Sequence, residues 1–177
     1  TESVNTLKKT DSGWAGYNTD VFGLRQAASQ LTFQSVAVLG TGATARSALA
    51  AFQDSNLMLW GRDQDSAKNL SKRFDASNQD LMAALSADLV VSTIPGSALS
   101  GLTSKGSRYP GTLISADYGT DAYQVGASFE KFTSGLEMLM WQAVGQQRIF
   151  TGLGLNAPLP DEEILIEAIR QALDMAK

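Results

Sequence analysis

The apolar residues between positions 35 and 120 fall into short continuous runs separated by longer amphipathic stretches. Runs that are almost wholly apolar predict parallel strands covered on both faces, because a half-exposed strand would alternate apolar with polar residues. The four runs are Val36–Leu39, Leu57–Trp60, Leu89–Thr93 and Leu113–Ala116. Helical periodicity predicts helices at residues 43–52, 65–74 and 80–86. This alternation predicts an α/β fold, a Rossmann-like doubly wound parallel sheet with helices on both faces.

The N-terminal part of the chain predicts a hairpin followed by a helix. Residues 4–7 and 14–17 are strand-like and flank a polar turn, which predicts a hairpin. Asn18 or Thr19 would cap a helix that runs to about Leu31. A hairpin alone is marginal in water, so this one is expected to join a sheet that the segment itself does not supply.

The C-terminal part predicts one amphipathic helix over about residues 161–176. Pro160 and the acidic residues after it suit a helix N-terminus, where negative charge is stabilised. One continuous apolar stripe follows along the helix, made of Ile164, Leu165, Ala168, Ile169, Ala172 and Leu173.

The first apolar run ends in a glycine-rich turn. Gly40, Gly42 and Ala45 fit the pattern G-x-G-x-x-A, the small-residue form of the dinucleotide-binding motif. Gly40 allows the tight turn, and Gly42 leaves the backbone open to a pyrophosphate. The helix that begins at Ala43 would point its free N–H groups at the phosphates. The motif lies between a strand and a helix, as nucleotide binding requires, and the alternative is an ordinary structural turn.

The second strand ends where NAD-binding folds usually carry an acidic residue that bonds the ribose 2′-hydroxyl. This chain has Gly61, Arg62 and Asp63 there instead. Gly61 leaves room, and Arg62 offers a planar cation to a 2′-phosphate, which favours NADP over NAD. The alternative is that Arg62 is a solvated surface residue and Asp63 the N-cap of the next helix. Beside a phosphate, the Asp63 carboxylate would be repulsive.

A polar residue, Gln142, falls on the mostly apolar face of a helix that begins near Gly135. It shares that face with Met138, Leu139 and Ala143. Gln142 is either a partly exposed amide or a group that hydrogen bonds a hydroxylated substrate through both its N–H and its carbonyl. The residue pattern leaves these two interpretations open.

The amino-acid composition limits the catalytic groups and metal ligands that the chain can offer. The 177 residues include no cysteine and no histidine, and the net charge is −4. A thiolate nucleophile and a cysteine-based zinc site are excluded, no metal site is predicted, and acid–base work falls to carboxylates, lysine or tyrosine. No basic run suggests a nucleic-acid partner, and no apolar run approaches the length of a membrane span. We therefore expect a soluble cytoplasmic protein that binds neither nucleic acid nor membrane.

Six short motifs are distributed along nearly the whole chain. They are Val4–Leu7, Gly16–Gly23, Gly40–Arg46, Gly61–Asp63, Gly135–Ala143 and Phe150–Gly152. In order and spacing they resemble the shikimate dehydrogenase family. The triplet Asn18-Thr19-Asp20 and the Gly-Leu-x-Met-Leu-x-x-Gln run that ends at Gln142 are much more specific than the dinucleotide turn.

The resemblance implies NADP-dependent reduction of 3-dehydroshikimate to shikimate, in aromatic amino acid biosynthesis. It implies that Asp20 is half of a catalytic Lys–Asp pair. The implied substrate contacts are Asn5, Asp20, Tyr118 and Gln142. The implied cofactor contacts are Gly40, Thr41, Gly42, Ala43, Thr44, Gly61, Arg62, Asp63, Thr93, Ile94 and Gly135. Residues 1–31 would be the remnant of a substrate domain with a linking helix, 32–155 the NADP-binding domain, and 156–177 a helix that returns to the substrate domain.

The chain also departs from the family pattern. The family's substrate domain, with its catalytic lysine, has no counterpart here, so we expect the chain alone to be inactive. Asp117-Tyr118-Gly119-Thr120 differs from the family's spacing around the tyrosine, and Gly61-Arg62-Asp63 replaces Asn-Arg-Thr. With the substrate domain missing, the C-terminal stripe lacks an obvious partner in the chain. This predicts a homodimer through that helix and the N-terminal hairpin.

Three other functions are open to this sequence. One is a non-catalytic dinucleotide-binding module that kept the fold. Another is a quinate/shikimate dehydrogenase that uses NAD. The third, a methyltransferase that uses S-adenosylmethionine, is disfavoured because such enzymes usually carry an acidic residue where this chain has Gly61-Arg62.

Overall fold

The computed structural model describes residues 1–104 and 106–175. The chain begins with a hairpin of β1 (Thr6–Thr10) and β2 (Gly13–Tyr17), followed by α1 (Thr19–Ala27). From Ser35 onward, strands and helices alternate. These are β3 (Ser35–Leu39), α2 (Ala43–Ala51), β4 (Asn56–Trp60), α3 (Gln64–Phe74), β5 (Ser77–Asn78), α4 (Leu81–Leu85), β6 (Leu89–Ser92), α5 (Gly96–Leu102), β7 (Tyr109–Ser115), α6 (Thr120–Gly126), β8 (Phe129–Thr133), α7 (Gly135–Phe150) and α8 (Glu162–Met175).

The six strands from β3 onward form one sheet in the order β5-β4-β3-β6-β7-β8. Every neighbouring pair in it is parallel. The chain winds outward from β3 to β5, then crosses back to β6 and winds outward on the other side. The predicted doubly wound parallel sheet is confirmed. Its switch point lies between the carboxyl ends of β3 and β6, where open α/β sheets bind ligands.

Apolar side chains cover both faces of the sheet. Val36 and Val38 of β3 pack into one layer with α1, α2 and α7. Ala37 and Leu39 pack into the other layer with α4 and α5. All four side chains are fully buried. Because neighbouring residues of a strand point to opposite faces, only a continuously apolar run can serve a sheet that is covered on both sides.

Several boundaries differ from the sequence predictions. The first hairpin strand begins at Thr6 rather than Val4, and α1 ends at Ala27 rather than Leu31. No pattern in the sequence predicted β5, α5 or β8. β8 lies at the edge of the sheet and carries exposed Glu130 and Lys131, so it lacks the apolar run of a central strand.

Helix α8 does have a partner in the chain, so the prediction that its stripe lacks one is wrong. Ile166, Ile169 and Leu173 pack against Met140, Trp141 and Val144 of α7. Four members of the predicted stripe face away from α7. Ile164 is 70% exposed and Leu165 is 38% exposed, and Ala168 and Ala172 are exposed as well. The packed residues follow Glu162 at helical spacing, and the pairing of Glu162 with Arg148 of α7 fixes this rotation. The predicted end of the helix at Ala176 lies outside the described residues.

Candidate active site and cofactor site

The turn after β3 is tied to both neighbouring strands. Gly40 adopts a φ of +119°, and its N–H donates to Trp60 O at 2.8 Å. The Thr93 hydroxyl donates to Leu39 O at 2.8 Å. A Cβ at residue 40 would clash with this hydroxyl. Glycine is therefore required at residue 40 by both the backbone conformation and the close approach of Thr93. The hydrogen bond from the Thr93 hydroxyl also stabilises the turn.

The N-terminus of α2 is open. Its N-cap is Gly42, none of the described side chains caps it, and no acidic residue lies in its first turn. A Cβ placed on Gly42 would meet no described atom within 4 Å. By contrast, Asn18, Asp63, Asp80 and Ser134 cap α1, α3, α4 and α7 with side-chain oxygens. The first amides of α2 therefore remain free to bind an anion such as a pyrophosphate.

The segment after β4 carries the exposed cation Arg62 and has no space for an acidic side chain at residue 61. A Cβ on Gly61 would lie 2.6 Å from the Thr41 methyl group and 3.3 Å from Ala67 Cβ, so this space is filled rather than left open. An acidic side chain at residue 61 would need the turn to move. Arg62 is exposed and makes no hydrogen bond or ion pair with another described residue.

The Asp63 carboxylate serves helix α3. Its Oδ1 accepts from the Asp65 and Ser66 N–H groups, and its Oδ2 accepts from the Ser66 hydroxyl at 2.7 Å. The bonds from Ser66 and Asp65 hold the pKa of Asp63 below its ordinary value. The N-cap interpretation of Asp63 is confirmed. Because the acid is engaged by the helix terminus, its repulsion of a nearby phosphate is partly compensated.

A cleft of about 230 Å³ opens beside this turn. It brings together five predicted cofactor contacts, Gly40, Thr41, Arg62, Asp63 and Ile94. Its other lining residues, not predicted as contacts, are Trp60, Pro95, Ala98 and Leu102. The last two belong to α5, which had no sequence signal. Four of the predicted contacts, Gly42, Ala43, Gly61 and Thr93, line neither this cleft nor the second one described below.

Helices α1 and α7 cross closely at a glycine. A Cβ on Gly23 would lie 2.7 Å from Met138 O and 3.2 Å from Gln142 N. The crossing is supported by an edge-to-face contact of Phe22 with Trp141, with ring centroids 6.3 Å apart. The absence of a side chain on Gly23 therefore brings the first turn of α1 alongside the middle of α7.

A second cleft, of about 190 Å³, lies at this crossing. Three predicted substrate contacts line it, Asp20, Tyr118 and Gln142. Thr44 from the first turn of α2 and Gly135 at the start of α7 line it as well. Ala116, Met138 and Leu139 complete the wall. Gln142 is half-buried, and its amide bonds to no other residue in the described part of the chain.

Asp20 is the titratable carboxyl group of this cleft. Burial raises its pKa, and a hydrogen bond from Asn5 Nδ2 to Asp20 Oδ1, 2.8 Å long, partly offsets the rise. Asn5 is thus brought to the site through Asp20 rather than as a lining residue. Lys8 donates instead to Ile149 O at the end of α7. Within residues 1–104 and 106–175, no lysine is bonded to Asp20.

Asp117 joins the loops that follow two neighbouring strands. Its Oδ2 accepts from the Gly96 N–H at 2.6 Å, and its Oδ1 accepts from the Gly119 N–H at 2.8 Å. These bonds hold the pKa of Asp117 below its ordinary value. Asp117 therefore clamps the loop after β6, which carries Ile94, to the loop that carries Tyr118. No role was predicted for Asp117 from the sequence, because its partner Gly96 lies far away along the chain.

No group of three or more acidic side chains is placed to hold a metal ion in the part of the chain that the structure describes. None of the described helices combines the length and apolar character that crossing a membrane requires.

Comparison with known proteins gives related enzymes over almost the full chain. A shikimate dehydrogenase (NADP(+)) from Thermus thermophilus is 28% identical, over 97% of this chain and 68% of that protein. A solved shikimate 5-dehydrogenase from Mycobacterium fortuitum is 32% identical, with a TM-score of 0.74, over 96% of this chain and 66% of that one. The chain is similar to shikimate dehydrogenases over almost its whole length, and it spans about two thirds of the length of these relatives. No protein-family model matches it.

A related structure was solved with bound ligands. A shikimate 5-dehydrogenase from Thermus thermophilus, in complex with NADP(H) and shikimate, is 26% identical with a TM-score of 0.73. The likeness covers 96% of this chain and 68% of that one. The motifs that resembled shikimate dehydrogenases in sequence therefore belong to a shared fold, and two clefts lie at the edge of the sheet where those motifs meet.

Proposed function

We propose that this chain forms the NADP-binding part of a shikimate dehydrogenase, which reduces 3-dehydroshikimate to shikimate. One observation carries the proposal. Asp20, Tyr118 and Gln142 line a single cleft together with Thr44, from the uncapped first turn of α2. The residues suited to a hydroxylated acid thus adjoin the helix end suited to a dinucleotide.

The residues present fit NADP. The open amides of α2 would hold the pyrophosphate, and the exposed Arg62 would bond the 2′-phosphate. Trp60, Ile94 and Leu102 offer apolar walls to an adenosine. When bound, the nicotinamide supplies the hydride. The filled space at Gly61 excludes the acidic residue that would favour NAD.

The protein's own part in the reaction is to orient the substrate and move a proton. Gln142 can donate and accept at once, which suits neighbouring hydroxyl groups of a ring. Asp20, with a raised pKa, is suited to pass a proton to or from the oxygen at the reacting carbon. The family resemblance implies a lysine as its partner, and the described residues place none there. Binding rather than turnover is therefore the property of residues 1–177 that tests this proposal.

We also propose that two copies of the chain associate through the hairpin and α8. Large apolar side chains stay exposed on both elements, with Leu7 59%, Trp14 70% and Ile164 70% exposed. Burial of such side chains stabilises an interface by about 1.5–3 kcal/mol each. A two-fold arrangement would cover each patch with the same surface of the partner.

Titration with NADPH and NADH tests the cofactor assignment. We expect the chain to bind NADPH about one to two decades more tightly, because a charge-assisted bond to the 2′-phosphate contributes about 1.5–3 kcal/mol. Arg62→Ala should remove this difference and leave NADH affinity unchanged. Lys72→Ala, in the last turn of α3, is the matched control and should behave like the wild type. Equal affinity of the wild type for both cofactors would refute the NADP assignment.

A further inference from the structure

Two buried threonine hydroxyls surround the side-chain carbonyl of Asn5. Asn5 Oδ1 accepts from the Thr6 hydroxyl at 2.9 Å, from the Thr19 N–H at 2.9 Å and from the Thr19 hydroxyl at 3.1 Å. The other end of the same amide, Nδ2, donates to Asp20 Oδ1 at 2.8 Å. A carbonyl oxygen has two lone pairs, so three donors saturate it.

We propose that Thr6 and Thr19 are positioning residues that orient the Asn5 amide, so that its N–H group rather than its carbonyl faces Asp20. This rests on the proposed function only in giving Asp20 a part in proton transfer. Neither threonine reaches a ligand directly, since Thr6 is 4% exposed and Thr19 is fully buried. Any influence on the site must pass through Asn5.

The reversed amide is disfavoured at both ends. It would turn the NH₂ group of Asn5 toward the Thr19 backbone N–H, which can only donate. It would also turn the carbonyl oxygen toward the Asp20 carboxylate, where two acceptors would face each other. The two hydroxyls can reorient to accept a bond, whereas the Thr19 N–H cannot. The three donors therefore act together, and removal of both hydroxyls leaves the Thr19 N–H as the one donor to the Asn5 carbonyl, which weakens the preference for this orientation.

The orientation has two consequences for the cleft. The ionised form of Asp20 receives a donor that compensates its partial burial. Because Asn5 is exposed, the second N–H of its amide stays free to donate to a substrate oxygen. Asn5 can therefore act only as a donor at this site, and its ligand group must be an acceptor.

Three charged groups on the elements packed around Asp20 are engaged elsewhere. Lys8 of the hairpin donates to Ile149 O, and Arg25 of α1 donates to Ala51 O. Glu137 of α7 pairs with Arg170. Tyr118 is the other titratable side chain that lines the cleft within the described part of the chain. The hydrogen bond from Asn5 is therefore the specific polar contact that a change in amide orientation would alter.

Nuclear magnetic resonance titration of the ligand-free 177-residue chain tests the proposal. The carboxyl carbon of Asp20 and the side-chain amide of Asn5 are followed against pH. In the wild type, the Asn5 amide signals should move with the midpoint of Asp20. In the double variant Thr6→Val with Thr19→Val, the Asp20 pKa should rise by about 0.5–1 pH unit, because the reversed amide becomes populated and favours protonated Asp20.

Two controls separate positioning from general damage. Thr6→Ser with Thr19→Ser keeps both hydroxyls and should restore the wild-type pKa of Asp20. Thr10→Val removes a hydroxyl from the same hairpin that bonds within its own turn, and should change nothing at Asp20. If the double valine variant does not fold, Thr6→Val alone is used, with a smaller rise in the same direction.

The outcomes decide the proposal without reference to turnover. The proposal is overturned if the Asn5 amide signals do not shift as Asp20 titrates. It is also overturned if a folded valine variant has the wild-type Asp20 pKa. Neither result would change the expected preference for NADPH. Failure to bind NADPH would refute the proposed function instead, and would leave the orientation of the Asn5 amide as measured.

Discussion

The ionised form of Asp20 is favoured by the helix to which it belongs and disfavoured by its burial in the folded chain. It lies in the first turn of α1, where the helix dipole stabilises a carboxylate. The packing of α1 against α7 then half-buries it, and burial raises its pKa. In the folded chain, the ionised form is therefore less favoured than in the unfolded chain. Such a conflict is common at functional sites, where stability is given up for chemistry.

Replacing Asp20 with asparagine should stabilise the fold. The asparagine would keep an acceptor for Asn5 and lose the buried charge, so we expect Tm at pH 7 to rise by about 1–3 °C. A raised carboxyl pKa disfavours folding above that pKa, and the effect vanishes as the pH falls below the ordinary value of 3.8. The gain should therefore shrink on acidification.

Thermal melts at several pH values measure this gain. Asp121→Asn is the matched control, because Asp121 lies in the first turn of α6 and is exposed. That change should lower Tm slightly or leave it unchanged, since it removes only the favourable interaction with the helix dipole. A lower Tm for Asp20→Asn at pH 7 would contradict the expectation.

At the scale of elements, the buried Arg148 determines how α8 packs against α7. Arg148 of α7 donates through Nε to Glu162 of α8 at 2.7 Å, and through Nη1 to Leu155 O at 2.6 Å. Its guanidinium also lies over the Phe22 ring, 5.0 Å from the centroid. One buried cation thus connects α1, α7, α8 and the loop before α8.

Replacing Glu162 with glutamine should loosen α8. The change leaves Arg148 buried without a counter-charge, so we expect the free energy of unfolding to fall by about 3 kcal/mol. Glu137→Gln is the matched control, since it breaks the more exposed pair with Arg170 and should lose less than about 1 kcal/mol. Urea unfolding measures both, and equal losses would contradict the buried pairing.

The same pair sets an acid dependence. The bond from Arg148 lowers the pKa of Glu162 from its ordinary 4.5, so its contribution to stability is complete above pH 4.5. The contribution is lost as the pH falls through the lower pKa of the folded state. The difference in stability between Glu162→Gln and the wild type should accordingly diminish in acid.

Asp117 is predicted to act on cofactor affinity as well as on stability. In Asp117→Asn, only one side-chain oxygen remains for two backbone N–H groups, so we expect a loss of about 1–2 kcal/mol in stability. The freed loop after β6 should also weaken NADPH binding. Asp88→Asn is the matched control, because Asp88 accepts from the Gln34 and Ser35 N–H groups beside the start of β3. It should reduce stability without changing NADPH affinity, and an equal effect of both variants on binding would argue against a clamp.

At the scale of the whole molecule, the strand order decides where the two clefts open. The turn after β3 and the loop after β6 meet at the switch point of the sheet, and α2 begins between the clefts. The hairpin is paired only with itself in the described residues, and its outer face carries Leu7 and Trp14. The outer side of α8 adds Ile164.

These surfaces predict self-association. Static light scattering at increasing concentration should show the chain moving toward the mass of a dimer. Ile164→Asp should shift this equilibrium toward the monomer, since α8 packs on α7 through other residues. Met82→Asp alters an equally apolar side chain, 61% exposed on α4, and should leave association unchanged. A wild type that stays monomeric at high concentration would refute the dimer.

The sequence by itself determined the four central strands of the sheet, the glycine turn after β3 and several of the residues that line the two clefts. Continuous apolar runs such as 36–39 predict buried parallel strands, because burial on both faces is a property of each residue in turn. The turn at Gly40 and the positive charge at Arg62 could also be predicted, because the backbone conformation and the charge of a residue are local properties. The family motifs point to Asp20 and Gln142, which are far apart in sequence and line one cleft in the fold.

Only the tertiary structure decided how those residues are used. The partners of Asp117, the occupied space beside Gly61 and the face of α8 turned toward α7 all depend on segments far apart in sequence. Periodicity states which residues share a helix face, but it does not state which neighbour will cover that face. The buried pair of Arg148 and Glu162 selects the face of α8 that packs on α7. Donors from Thr6 and Thr19, which lie on different elements, meet at the side-chain carbonyl of Asn5. Interactions of this kind are fixed by distance and direction in space, which the order of residues alone does not specify.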